Sequence, residues 1–207
     1  MLLDTRRVHN LLAKLAAANA SAFGAESHRF LLNPPLAEAE VVAFERAHSV
    51  SLPEDYRHFL TQIGNGGAGP FYGVFPLGKM DDNFGLRCWH ETDGIVGVLS
   101  KPFPLDTEWN DLTGNPVGDE DFDAMIEQFE KRYWDSSLVD GAIPICHTGC
   151  ALRIWLVVTG RQAGNLWYDK RAEYGGLMPL TFDDGAPLTF ATWYEEWLNR
   201  SRSLLRE

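Results

Sequence analysis

Residues 51–77, SLPEDYRHFLTQIGNGGAGPFYGVFPL, read as a helix, a glycine-rich turn and a strand. Pro53 suits the first helical position, where the N–H that proline lacks has no intrahelical partner. Ser51 is placed to act as N-cap, and Glu54 and Asp55 put negative charge on the positive end of the helix dipole. Leu52, Tyr56, Phe59, Leu60 and Ile63 recur at helical spacing and define one apolar face. Gly64 is expected to end the helix in the left-handed conformation. Asn65, Gly66, Gly67 and Gly69 then permit a tight reversal. Phe71 to Phe75 follows as a predicted strand, stopped by Pro76.

Gly64, Gly66 and Gly69 also spell G-x-G-x-x-G. A dinucleotide fingerprint follows a strand and opens a helix, so that helix N–H groups face the pyrophosphate. Here the helix comes first, and its C-terminal end carries partial negative charge that repels phosphate. The glycines read as a cap and a turn.

Toward the N-terminus, Leu3 to Ala20 is predicted as a helix with a stripe of Leu3, Val8, Leu11, Leu12 and Leu15. Phe30-Leu31-Leu32 reads as a short extended connection. Leu36 to His48 is a second predicted helix, with Leu36, Val41, Phe44 and Ala47 facing inward, and it pairs with the helix at Pro53 as a hairpin. Toward the C-terminus, Ile95 to Leu99 is a short apolar run. Pro102, Pro104, Gly114, Pro116 and Gly118 punctuate a loop. Asp121 to Trp134 has Phe122, Met125, Ile126 and Phe129 at helical spacing. Ile143 to Cys146, Leu152 to Thr159 and Asn165 to Asp169 read as three strands in meander order, hence antiparallel. The near-continuous apolar run of Leu152 to Thr159 predicts burial on both faces. Pro187 to Leu205 closes the chain as a helix capped by Thr189 or Thr192. Helices, then strands, then a helix is an α+β order rather than a doubly wound one.

LPEDYRHFL followed by GNGGAGPFYGVFPL resembles the hallmark of the SUKH superfamily, in the branch shared by bacterial toxin-immunity proteins and fungal cell-wall-assembly regulators. The resemblance resumes at IPICHTGCALRIWLVVTG, at GNLWYDKRAEYGG and at FATWYEEWL. It covers 36–198, within a single domain of 1–207 whose first 33 residues form a helical extension. It implies a single mixed or mainly antiparallel sheet with helices packed against it. It implies a non-catalytic protein that binds and neutralises a cognate toxin, many such toxins being nucleases. The alternative it leaves open is a regulatory scaffold like the fungal relatives. Where the family carries an acidic residue before the Gly175-Gly176 pair, this chain has Tyr174.

Composition bears on the same question. The chain has 207 residues, seven Trp and twelve Phe, which argues against disorder. Its apolar runs are too short to span a bilayer, and Asp4, Arg6 and Arg7 interrupt any secretory apolar segment. A cytoplasmic protein is expected. The net charge is −11, and residues 81–135 alone hold fourteen acidic and four basic residues, a net of −10. Such a surface repels nucleic acid and suits a basic partner, including a nuclease with a basic cleft.

Within that window Trp109 and Trp134 stand among carboxylates, as interface anchors do. Together with Asp119, Glu120, Asp121 and Asp123 they form the candidate partner-binding set. No cofactor or metal is expected, and none of the motifs G-x-S-x-G, H-E-x-x-H or the P-loop occurs. Cys146, His147 and Cys150 are the residues that an enzyme or small-ligand reading would use, as a Cys–His pair or, with Cys88 and His90, as a zinc site. The simpler reading is free thiols packed at a strand junction.

Overall fold

The computed structural model describes residues 1–80, 96–114 and 122–205. These comprise six α-helices and one four-stranded sheet. The helices are α1 (Thr5–Ala17), α2 (Ala25–His28), α3 (Glu38–His48), α4 (Glu54–His58), α5 (Phe122–Tyr133) and α6 (Phe190–Ser201). The strands are β1 (Ala142–Gly149), β2 (Leu152–Val157), β3 (Leu166–Asp169) and β4 (Leu177–Pro179), paired antiparallel in the order β1-β2-β3-β4. The architecture is α+β, as the element order implies. Among the described residues, no helix is long and apolar enough to cross a membrane.

The alternation of β2 divides the core in two. Ile154 and Leu156 point to one face, where they meet Leu166, Ile143 and the apolar stripes of α1, α4 and α6. Trp155 and Val157 point to the other and meet Ala142, Trp167 and Leu177. Every residue of β2 is buried, as its unbroken apolar run predicts. A register shift between Pro144 and Cys146 turns both Ile145 and Cys146 to the first face.

The stretch 51–77 organises the first face. Leu52, Tyr56, Phe59, Leu60 and Ile63 are all buried. The second half of this helix, Phe59–Ile63, widens to a π-turn before Gly64. Its rings pack tilted against those of α6, with Phe59 4.9 Å from Phe190 and 5.1 Å from Tyr194. Asp55 accepts a hydrogen bond from the Ala191 N–H in the first turn of α6 (2.9 Å), so it serves two helix starts. Thr189 caps α6, its hydroxyl accepting from the Thr192 N–H. Arg57 ties α3 to α4 through Glu38 and Glu45, fixing the hairpin.

Several expectations need correction. Ser51 is not the N-cap; Pro53 holds that place without a side-chain bond. Gly64 is extended (φ 178°), and the left-handed residues are Gly66 (φ 80°) and Gly67 (φ 95°). Ala47 is exposed, and α1 ends at Ala17. Phe71 to Phe75 is not a strand, because Phe71 (φ 54°) and Gly73 (φ 96°) break the extended backbone. Single bridges run instead from Leu32 to Gly67, from Gly67 to Val74 and from Val74 to Cys146. The Phe75 N–H donates to the Ile145 carbonyl at 2.8 Å. This segment therefore covers the open edge of β1. The fourth strand, β4, is too short to register as a periodic run. Of the apolar run 95–99, residue 95 lies outside the described residues.

Candidate partner-binding surface

The second face of the sheet leads to the acidic part of the chain. Asp169 ends β3, and the next residues turn so that Arg171 folds back onto it. The Arg171 guanidinium donates from Nε to Oδ1 (2.9 Å) and from Nη2 to Oδ2 (2.7 Å) of Asp169. The Trp155 indole N–H donates to the same Oδ2 at 3.1 Å. Arg171 is 1% exposed and Asp169 4% exposed, so this is a buried, bidentate ion pair with its acceptors filled.

The same guanidinium holds the C-terminal end of α5. Its Nη1 donates to the Tyr133 carbonyl (3.3 Å), and it lies 5.1 Å from the centre of the Trp134 ring. Tyr133 is fully buried; its hydroxyl donates to Asn110 Oδ1 (2.8 Å) and accepts from the Gly176 N–H (3.1 Å). Burial pushes the Tyr133 phenol above its ordinary value, a shift the Gly176 N–H partly opposes. Trp109 pairs its backbone with Leu177 through two hydrogen bonds of 2.8 Å, covering the β4 edge, and its ring lies 5.4 Å from that of Tyr133. Gly176 permits this approach: a Cβ there would stand 2.1 Å from the Trp109 carbonyl oxygen, and φ is 70°.

The structure thus brings Trp109 and Trp134 together around Tyr133, both half-buried. Part of each ring is committed to the fold. Asp123 lies in the first turn of α5. Asp119, Glu120 and Asp121 lie outside the described residues. Glu127 and Glu130 project from α5 into solvent, and Glu108 is exposed beside Trp109; among the described residues none of the three forms an ion pair. Asp106 pairs with Arg161 (3.1 Å) and Asp111 with Arg132 (3.3 Å). Hydrogen bonds from Thr113, then the Arg132 charge, hold the Asp111 carboxyl below its usual value.

Sequence reasoning passed over Tyr133, Asn110 and the Asp169–Arg171 pair. The only signal for the last was the D-x-R spacing after a strand, where two charges one residue apart can meet once the chain turns. Tyr174, in the left-handed conformation (φ 55°), is 50% exposed and caps the stack of Phe129 and Tyr133 at 6.2 Å from each.

The cysteine turn is different in kind. Cys146 is fully buried, and burial pushes its thiol far above the ordinary value, the wrong direction for a nucleophile. Its Sγ lies 3.4 Å from the Pro70 carbonyl oxygen. His147 is also buried, stacked on Tyr72 with ring centres 5.1 Å apart. Cys150 is exposed, at a left-handed turn position (φ 48°). Among the described residues, no group of three or more His, Cys, Asp or Glu is arranged to hold a metal, and Cys88 and His90 lie outside them. The glycine turn uses its own N–H groups: those of Gly67 and Ala68 donate to Val74 and Leu31 carbonyls at 2.8 and 2.7 Å.

No curated protein and no solved structure matches this chain. The model of the SMI1/KNR4 family (SUKH-1) matches residues 35–199, from just before α3 to the last turns of α6. That span contains the helical hairpin, the glycine turn, the whole sheet and the Tyr133–Arg171 cluster, and on it the chain belongs to the SMI1/KNR4 family, SUKH-1.

Proposed function

We propose that this protein is a non-catalytic, cytoplasmic immunity protein that binds and neutralises a cognate protein toxin through its acidic surface. The toxin carries a basic face, as a nuclease does around its substrate cleft. The observation that carries this reading is the concentration of charge in residues 81–135, a net of −10 out of −11, together with the pinning of α5 to a buried cluster. On the pinned helix itself Glu127 and Glu130 stand exposed, while Lys131 and Arg132 in its last turn leave α5 with a net charge of only −1 (three acidic, two basic residues). Trp109 and Trp134 supply rigid aromatic edges at the base of that surface. The burial that raises the Cys146 thiol argues against that residue as a nucleophile.

The test is binding of the purified cognate toxin to the wild type and to a variant carrying Asp119→Asn, Glu120→Gln, Asp121→Asn and Asp123→Asn. The expected result is a slower association rate and a flatter salt dependence, with thermal stability nearly unchanged. An unaltered association rate at low salt would sink the proposal. Cys146→Ala with Cys150→Ser is expected to leave protection from the toxin intact, and loss of protection in a folded, toxin-binding variant would restore a catalytic reading.

A further inference from the structure

The helix-roofed face of the sheet contains a cavity of about 420 Å³ that shares no residue with the Tyr133–Arg171 cluster. Small-molecule sites run from ~300 to ~1,000 Å³ and are mostly apolar with a few placed polar groups. Ile154 and Tyr168 of the sheet form one wall, and Trp193 and Trp197 of α6 the other. Phe71 and Phe23 stand at the mouth. Phe23 is 67% exposed and set edge-on to Phe71 and Tyr72, with ring centres 6.3 and 5.4 Å away. Aromatic rings on both walls favour an aromatic guest, which can stack on one and present its edge to another.

Two polar features narrow the guest. Ser201, the last residue of α6, lines the cavity at 4% exposure, and no hydrogen bond joins its hydroxyl to another described residue. Its oxygen is not sealed from solvent, so it meets water through the cavity and can exchange that water for a ligand donor or acceptor. Glu196 and Arg200 also line the cavity, and they pair with each other at 3.3 Å. They form an exposed i,i+4 pair at the rim, so they leave no net charge at the cavity to attract an ionic guest. A neutral guest needs none.

We propose that this cavity binds a neutral, fused-ring aromatic small molecule whose hydroxyl or carbonyl group hydrogen-bonds to Ser201. The assignment does not depend on toxin binding.

The experiment uses the full chain and two probes of equal size, 1-naphthol and 1-methylnaphthalene, followed by quenching of tryptophan fluorescence. Both are expected to saturate with one molecule per chain. Ser201→Ala keeps the cavity and removes the hydroxyl. It should weaken 1-naphthol by about three- to tenfold and leave 1-methylnaphthalene unchanged. Ala22, next to Phe23, also lines the cavity; Ala22→Phe fills part of it and should abolish saturable binding of both probes without lowering the melting temperature. If that variant melts early, Ala22→Leu makes the same test with less added volume. Quenching that does not saturate in the wild type overturns the assignment, as does binding that survives this filling. Equal effects of Ser201→Ala on the two probes, or no effect on either, remove Ser201 from it. Either result overturns the proposal as stated, since Ser201 is the contact that defines the guest.

Discussion

The sheet face carrying Ile154, Leu156 and Leu166 is roofed by three amphipathic helices. The face carrying Trp155, Trp167 and Leu177 is roofed by loop residues, a short 3-10 turn and one helix end. On the first face the energy is hydrophobic area, spread over many interchangeable aliphatic and aromatic groups. On the second a small cluster closes around a buried charge pair and a tyrosine that each make several hydrogen bonds. Packing of the first kind tolerates exchanges that keep volume and polarity. Packing of the second kind fails when one member is lost, because the rest are left buried without partners.

Arg171→Met should therefore be the most damaging substitution. It removes the partner of Asp169, the donor to the Tyr133 carbonyl and the cation over Trp134. Breaking a buried pair from one side costs about 3–5 kcal/mol. Leu60→Met on the first face, of similar volume, should cost under about 1.5 kcal/mol. Denaturant unfolding of both variants checks this. The contrast breaks if Arg171→Met falls within about 1 kcal/mol of wild type. It sharpens if adding Asp169→Asn to Arg171→Met recovers part of the loss.

Next in size is the glycine turn, which belongs to the first face and yet is not interchangeable. A Cβ on Gly67 would lie 2.6 Å from the Leu31 carbonyl oxygen, and its φ of 95° is strained for any side chain. Gly67→Val should lower stability by about 1–3 kcal/mol for the backbone strain alone. ATP or a dinucleotide should not raise the melting temperature of the wild type. A saturable rise would contradict the argument from helix polarity.

These two cases show what a sequence displays and what it hides. The helical face of 51–77 is legible because Leu52, Tyr56, Phe59, Leu60 and Ile63 repeat with the period of a helix, and all five are buried. Strand β2 is legible for a similar reason, its apolar run being unbroken. The Phe71–Phe75 segment misleads because β-forming composition does not report the positive φ of Phe71 and Gly73. The role of Tyr133 has no local signature, since its partners Asn110, Arg171 and Gly176 come from three separate stretches. Trp109 and Trp134 were legible, with Trp89, as tryptophans within or beside the acidic window, and nothing in the sequence paired them; Trp89 lies outside the described residues. The attachment of Trp109 and Trp134 to the Asp169–Arg171 pair was not legible, because only tertiary closure brings residues 109, 134 and 171 together.

A smaller effect separates the faces by pH. His28 is buried on the first face, edge-on to Phe30 and Trp197. Its Nδ1 accepts from the Phe30 N–H at 3.0 Å, which requires a neutral ring with its proton on Nε2. Burial holds its pKa below the ordinary 6.5. The unfolded chain therefore takes up the proton first. The stability from this group is complete above about pH 6.5 and is lost as the pH falls from there through the lowered folded value. Urea midpoints at pH 7.5 and 5.5 should show this loss, and His28→Gln should flatten it. An unchanged pH slope in His28→Gln would assign the acid sensitivity elsewhere.

The smallest expected effect on the fold is at the outer surface of α5, and there the comparison turns from stability to recognition. Glu127 and Glu130 face solvent while Phe129 and Tyr133 on the same helix are buried. Neither glutamate forms an ion pair among the described residues, so neither holds the second face together. Glu127→Gln with Glu130→Gln should shift stability by no more than about 0.5 kcal/mol, as exposed substitutions do. If the acidic surface steers a basic toxin, the same variant should associate more slowly at low salt, and the deficit should close as salt screens the remaining charge. Its dissociation rate should hardly change, because rim charges act on encounter more than on the formed complex. Tyr174→Ala makes the complementary variant: it removes an exposed ring from the cap of the Phe129–Tyr133 stack without altering charge, and should raise the dissociation rate if that stack lies within the interface. Slower association in the first variant and faster dissociation in the second would place the toxin over α5. Wild-type rates in both would move the interface off this helix and leave its carboxylates as a solvated face.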